Sequence, residues 1–105
     1  MENGKNMKIF PSEYRFCQIL WENEPVTTTQ LVCLCRDRLN WTKSTTYTVI
    51  RRLVSRGFIK KKGTLCSSME SKINIQCNII TELISEYFVD YSEFIQIAKQ
   101  VQIKK

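Results

Sequence analysis

The stretch from Pro25 to Gly57 constrains this chain more than any other part of its sequence. Pro25-Val26-Thr27-Thr28-Thr29-Gln30-Leu31 sets a threonine three residues ahead of a glutamine. At that spacing the hydroxyl takes a backbone N–H of the first helical turn, and the amide side chain returns to the N–H of the cap. Val26, just before the cap, can pack on Leu31 as a hydrophobic staple. Leu31, Val32, Cys35 and Leu39 then recur at helical spacing, with Arg36 and Arg38 in the last turn, where cations suit the negative end of the helix dipole. Only Asn40-Trp41 separates this helix from the next. Thr42 is the expected cap there, Thr46, Val49, Ile50, Leu53 and Val54 form the apolar stripe, and Gly57 supplies the stop. Two helices joined by so short a turn, the second one basic, define a helix-turn-helix.

The flanking sequence extends that unit. Pro11-Ser12-Glu13 predicts a further helix, with Ser12 as its cap and Tyr14, Cys17, Leu20 and Trp21 as its inner stripe, ending before Pro25. Beyond Gly57, Phe58 to Gly63 reads as a short strand entering a turn. Thr64 to Ser71 is polar and irregular, and Ile73-Asn74-Ile75 alternates as a returning strand would. The expected class is therefore mostly α with a small β-hairpin, a winged helix-turn-helix. From Cys77 the pattern is helical again. Ile80, Ile84, Tyr87, Tyr91, Phe94, Ala98 and Val101 are spaced as a heptad seam, which predicts dimerisation helices. Asp90-Tyr91-Ser92-Glu93 can split the tail into two helices, with Ser92 as a fresh cap. A chain of 105 residues is one small domain by length, and a second copy would help to stabilise it. The organisation read from the sequence is a frayed tail over 1–9, a winged-helix domain over 10–76 and a helical dimerisation tail over 77–105.

The net charge of +6 is unevenly distributed. Arg36 to Lys62 holds nine Lys or Arg and a single acid, Asp37, a local charge of +8 that leaves −2 for the rest. Such a block is the footprint of a phosphate-binding surface, although a solvated helix face followed by a Lys-rich turn has the same composition. The pattern inside the block separates the two. Projected at about 100° per residue, the third helix turns Ser44, Thr48, Arg51 and Ser55 away from its apolar stripe, with Tyr47 and Arg52 on the flanks. Hydroxyls contact phosphates or bases, and Arg reads guanine in the major groove. Ordinary solvated faces mix in Glu or Asp, yet none occurs from Thr42 to Lys62. Double-stranded DNA is therefore the expected partner. Thr28 and Thr29, just inside the second helix, offer hydroxyls beside free backbone N–H groups, a phosphate seat. Lys60, Lys61 and Lys62 would carry the wing onto flanking backbone.

Other chemistry is poorly supplied. Histidine is absent, which removes the commonest general base and the commonest metal ligand. No Gly-rich phosphate loop is present, nor a Ser or Cys nucleophile with a visible base, so an enzyme is not expected. Five cysteines without an apolar leader argue against a disulfide framework and for a cytoplasmic protein. Cys33 and Cys35 should face opposite sides of one helix, while Cys17 and Cys35 read as small core residues. Cys66 and Cys77 lie in less regular sequence, where exposure would leave a redox or metal role open. No four thiols stand at zinc spacing, no cofactor is expected, and no apolar run is long enough to span a membrane.

Residues from about Phe10 to Gly63 resemble the winged-helix repressors of the penicillinase-repressor and copper-transport-repressor family. The matching stretches are Ser12-Glu13 before an apolar helix ending Ile19-Leu20-Trp21-Glu22, then Pro25 to Val32, then Trp41-Thr42-Lys43-Ser44-Thr45-Thr46-Tyr47-Thr48-Val49-Ile50-Arg51-Arg52-Leu53 with Gly57-Phe58-Ile59. The resemblance implies a dimeric repressor on an inverted-repeat operator, with the third helix in the major groove and the C-terminal helices holding the dimer. Thr45, Tyr47 and Thr48 correspond to groove-facing positions, Lys43 and Ser44 open the same helix, and Thr28 is similar to a phosphate contact. An upstream sensor protease is implied by the resemblance alone. The tail has no Asn-Phe pair, the bond cleaved in the drug-sensing members, and no paired C-x-C motifs like those of the copper-sensing members. Two other readings stay open: a winged helix used for protein interaction without specific DNA binding, and a cysteine-based redox-responsive regulator.

Overall fold

The computed structural model describes residues 8–102. The elements run α1 (Pro11–Asn23), β1 (Val26–Thr27), α2 (Thr28–Leu39), α3 (Lys43–Ser55), β2 (Ile59–Lys62), β3 (Leu65–Ser68), α4 (Lys72–Tyr87) and α5 (Tyr91–Ala98). Most of the expected tail over 1–9 lies outside the described residues. Lys8 and Ile9 are docked: the Lys8 carbonyl accepts a hydrogen bond from Arg56, and Ile9 packs against the core.

The first helix begins ahead of the expected Ser12 cap. Phe10 is the N-cap, and the Glu13 carboxylate accepts its backbone N–H at 3.0 Å. Pro11 takes the first helical position, where its missing N–H costs nothing and its fixed φ suits the helix. The inner face of α1 is also broader than expected. Phe16 and Ile19 are buried with Cys17 and Leu20, while Tyr14 and Trp21 lie at the rim. The reason is a second contact on the other side of the helix. Tyr14 Oη accepts from Gln76 Nε2 (3.1 Å), and Trp21 Nε1 donates to the Glu70 carbonyl (3.1 Å).

The capping box of α2 forms as expected. Thr27 Oγ1 accepts from Gln30 N (3.1 Å), and Gln30 Oε1 accepts from Thr27 N (3.0 Å). Asn40 ends the helix in the left-handed region (φ 59°, ψ 35°), which short polar side chains tolerate. Trp41 then stacks on buried Phe16, centroids 6.1 Å apart and planes within 4°. Thr42 caps α3 by accepting from Thr45 N at 3.1 Å. At the far end, Gly57 has φ 82°. Its N–H donates to Val54 O (3.1 Å) and that of Phe58 to Leu53 O (2.9 Å), the paired bonds of a Schellman stop. Thr46, Val49, Ile50 and Leu53 are buried as expected, but Val54 is 38% exposed and belongs to the outer face.

The wing differs from the sequence reading in its return strand. Leu65–Ser68 pairs antiparallel with β2, and Ile73–Ile75 lies in the first turns of α4. The hairpin loop is only Gly63-Thr64, with Gly63 at φ 63° in the first loop position, as a primed two-residue turn demands. A turn that tight sets the return immediately, so the polar segment supplies it. On the other edge, β3 pairs with β1, giving the sheet order β1-β3-β2. The Glu24 carboxylate holds this edge, accepting from Ser68 N (2.6 Å) and Ser68 Oγ (2.9 Å). An added Cβ at Gly63 would meet nothing within 4 Å. Gly63→Ala should therefore destabilise through backbone strain alone, by about 1–2 kcal/mol. Chemical denaturation checks this, and an unchanged midpoint would remove positive φ as the reason for glycine.

Helix α4 starts at Lys72, earlier than the expected 77, with Ser71 as its cap accepting from Asn74 N (3.1 Å). Ile75 is its one buried residue; no residue of α5 is buried. The chain breaks at Phe88–Asp90, and Asp90, not Ser92, caps α5 by accepting from Glu93 N (2.9 Å). The expected seam is therefore not continuous. Ile80, Ile84 and Tyr87 lie on α4, Tyr91, Phe94 and Ala98 on α5, and Val101 beyond it. Phe88 and Phe94 meet edge-on at 5.4 Å across the break. The radius of gyration is 16.0 Å, against about 13 Å for a compact chain of 100 residues, because these helices extend from the domain.

Candidate nucleic-acid interface

Burial of Thr46, Val49, Ile50 and Leu53 fixes the rotation of α3 about its axis, so its opposite side must face solvent. That side carries Lys43, Ser44, Thr45, Arg51, Arg52 and Ser55 exposed, with Tyr47 and Thr48 half-buried. The side chains support one another along the helix. Lys43 Nζ lies 6.0 Å from the Tyr47 ring centroid, and Arg51 Nη2 donates to Thr48 Oγ1 at 3.4 Å. Thr45 Oγ1 accepts from the Thr42 hydroxyl (3.0 Å), which orients it at the helix start.

No Asp or Glu occurs from Thr42 to Met69. The acids brought nearby by the fold are engaged elsewhere: Glu22 with Arg38 (2.6 Å), Asp37 with Arg36 (3.4 Å), and Glu24 with Ser68. Glu13 is 1% exposed and takes Arg56 at 3.2 Å and Arg52 at 3.5 Å. Arg52 is thus drawn toward α1 and away from Arg51, which the helical projection could not show because Glu13 is remote in sequence. Among the described residues Arg51 has no acidic partner.

The wing lysines are not equivalent. Register pairs Lys61 with Cys66, and Cys66 lies on the buried side with Ile59. Lys61 therefore leans over the groove beside α3, together with Tyr47 and Arg51. Lys60 and Lys62 alternate to the other face. The period-two pattern starting from apolar Ile59 carried this signal.

The phosphate seat at α2 needs correction at one residue. Thr28 is buried, and its N–H donates to the Thr64 carbonyl (2.8 Å), so it ties α2 to the hairpin loop and is not free. Thr29 is exposed and stays available.

Cys66 is also corrected: as the centre of β3 it is fully buried, while Cys33 and Cys77 are exposed. Cys35 is buried, on the opposite side of α2 from Cys33. Burial pushes the Cys17 thiol up to about 12, with the Glu13 charge adding to the shift, and the Cys35 thiol up to about 11 despite a hydrogen bond with Thr46. Burial raises Cys66 as well, partly offset by Lys61. Alkylation at pH 8 should therefore modify Cys33 and Cys77 rapidly and the other three only on unfolding, because the thiolate is the reacting form. Mass mapping after a short pulse checks this, and early label on Cys66 would contradict its burial. Among the described residues no group of three or more Cys, Asp or Glu could hold a metal ion, and no helix is long and apolar enough to cross a membrane.

Three helices with a tight turn before the third, and a hairpin beside it, make a winged helix-turn-helix whose outer face is cationic. Among solved structures it is similar to the solution structure of the DNA binding domain of the repressor BlaI, at 17% identity and a TM-score of 0.57 over 70% of this chain and 93% of that one. No individually curated protein sequence matches the chain. The sequence profile of the penicillinase repressor family matches residues 9–97, and the chain belongs to that family. It is a DNA-binding repressor of winged-helix type, not an enzyme.

Proposed function

We propose that the protein is a sequence-specific repressor acting in the cytoplasm as a homodimer on an inverted-repeat operator. Helix α3 enters the major groove. Tyr47, Thr48 and Arg51 reach base edges, Lys43, Ser44 and Thr45 meet the groove wall, and Thr29 and the wing lysines hold phosphates. The acid-free outer face of α3 carries this reading. It combines donors that read bases with cations that release counterions, and the nearby carboxylates of Glu13, Glu22 and Asp37 are paired with arginines.

The tail supports the homodimer. At about 100° per residue, Ile80, Ile84 and Tyr87 lie on the side of α4 opposite Ile75, the residue that docks on the domain. That seam consequently faces away from its own core. Ile73, Leu83, Tyr91, Ile97 and Val101 are also exposed, a concentration of large apolar side chains in water that a second copy would cover.

Selection of bound DNA from a random pool at fixed salt tests the proposal, and should return an inverted repeat. On that sequence Arg51→Ala and Tyr47→Ala should each cost about 1–3 kcal/mol, roughly five- to 150-fold, with the fold intact. Binding should weaken steeply with salt. A pool that returns no sequence, with a shallow salt slope, would instead favour a protein-interaction module.

A further inference from the structure

A cleft of about 460 Å³ lies between α3 and β2, lined by Tyr47, Ile50, Arg51, Val54, Ser55 and Lys61. Two features set it apart from a plain phosphate seat. Its cations come from different elements, Arg51 from the helix and Lys61 from the strand, and no carboxylate lines it. Between them the floor is apolar, formed by Ile50 and by Val54, which is 38% exposed on a helix face otherwise made of polar side chains.

An inorganic anion would satisfy the two cations and leave that floor wet. A neutral apolar molecule would cover the floor and leave the cations unanswered. A carboxylate carried on an aromatic or branched body meets both requirements. The charge spans Arg51 and Lys61, the body covers Val54 and Ile50, and the Tyr47 ring forms a wall against which a flat ligand can pack. The volume lies within the range of small-molecule sites.

We propose that this cleft is a binding site for a small aromatic or branched-chain carboxylate. Its occupant would engage Arg51 and Tyr47 and so exclude DNA, making the site a direct means of releasing the repressor. The release depends on the reading of α3 as the groove-facing helix; the binding does not.

The probe is benzoate, titrated into the DNA-free protein and followed by the backbone amide and methyl NMR signals. Saturable shifts centred on Tyr47, Ile50 and Val54 are expected. Lys61→Gln should weaken benzoate about tenfold, as loss of one charge-assisted hydrogen bond would, while Lys60→Gln, on the other face, should not. Sulfate shifting the same signals as strongly would reduce the site to an anion seat and overturn the proposal. So would shifts spread over α4 and α5, or no saturation by tens of millimolar. With an operator in hand, benzoate at ten times its dissociation constant should weaken DNA binding about tenfold by mass action. Benzoate binding with no effect on DNA would overturn the release step alone. Absence of DNA binding by the unliganded protein would count against the repressor reading and leave the ligand site standing.

Discussion

Glu13→Ala should destabilise the folded protein by about 3 kcal/mol, a large part of the total stability of so small a domain. The Glu13 carboxylate is 1% exposed and serves three donors: Phe10 N–H at 3.0 Å, Arg56 at 3.2 Å and Arg52 at 3.5 Å. Removing one member of a buried ion pair costs about 3–5 kcal/mol because its partner's charge is left uncompensated. The lower end applies because Arg56 is 21% exposed and Arg52 51%, so water recovers part of the loss. Arg56 also holds the Lys8 carbonyl and lies 4.9 Å from the Phe58 ring centroid, so the damage should spread to the end of α3 and the start of the wing. Glu13→Gln keeps an acceptor for the Phe10 N–H and discards the charge, and should fall between alanine and the parent. Urea unfolding of the three proteins gives the answer. If alanine and glutamine variants both unfold within about 0.5 kcal/mol of the parent, the network is a surface ornament of the kind exposed pairs often are.

The second large effect is on operator binding. Ile80→Asp should leave each winged-helix domain folded, since Ile80 is 43% exposed and on the side of α4 away from Ile75. A charge placed in the seam should convert the proposed dimer to monomers, seen by sedimentation at micromolar concentration. Affinity for the full inverted repeat should then fall about 100-fold or more, because the second half-site is no longer presented at high effective concentration. Affinity for an isolated half-site should stay as it was. That split separates dimer loss from damage to α3, which would weaken both. A variant that still sediments as a dimer would place the interface elsewhere.

Several local signals were legible because the partner lay within a few residues, although the caps at Phe10, Ser71 and Asp90, equally local, were not. The Thr27–Gln30 box, the Thr42 cap, the Gly57 stop and the outer face of α3 could all be read, because each depends on helical spacing or on a short-range hydrogen bond. Two of the illegible features had a distant cause and a third a local one. Glu13 looked like a favourable charge at a helix start until the fold brought Arg52 and Arg56 to it. Leu65–Ser68 looked like loop because its apolar alternation is weak; pairing with both β1 and β2 makes it the central strand. Ile73–Ile75 has two isoleucines at strand spacing, but at the same spacing on a helix they diverge, leaving Ile73 64% exposed and Ile75 1%.

The sequence by itself determined that two capped helices meet at a tight turn and that the second presents cations and hydroxyls without acids. Those properties follow from short-range geometry and composition. Tertiary structure alone decided which cations stay free. Arg52 and Arg56 are drawn to a buried carboxylate, Arg38 is held by Glu22, and Arg51 and Lys61 are left lining one cleft with an apolar floor. Charge is written residue by residue, but its compensation depends on which opposite charges folding brings within about 4 Å, since Coulomb attraction falls with distance.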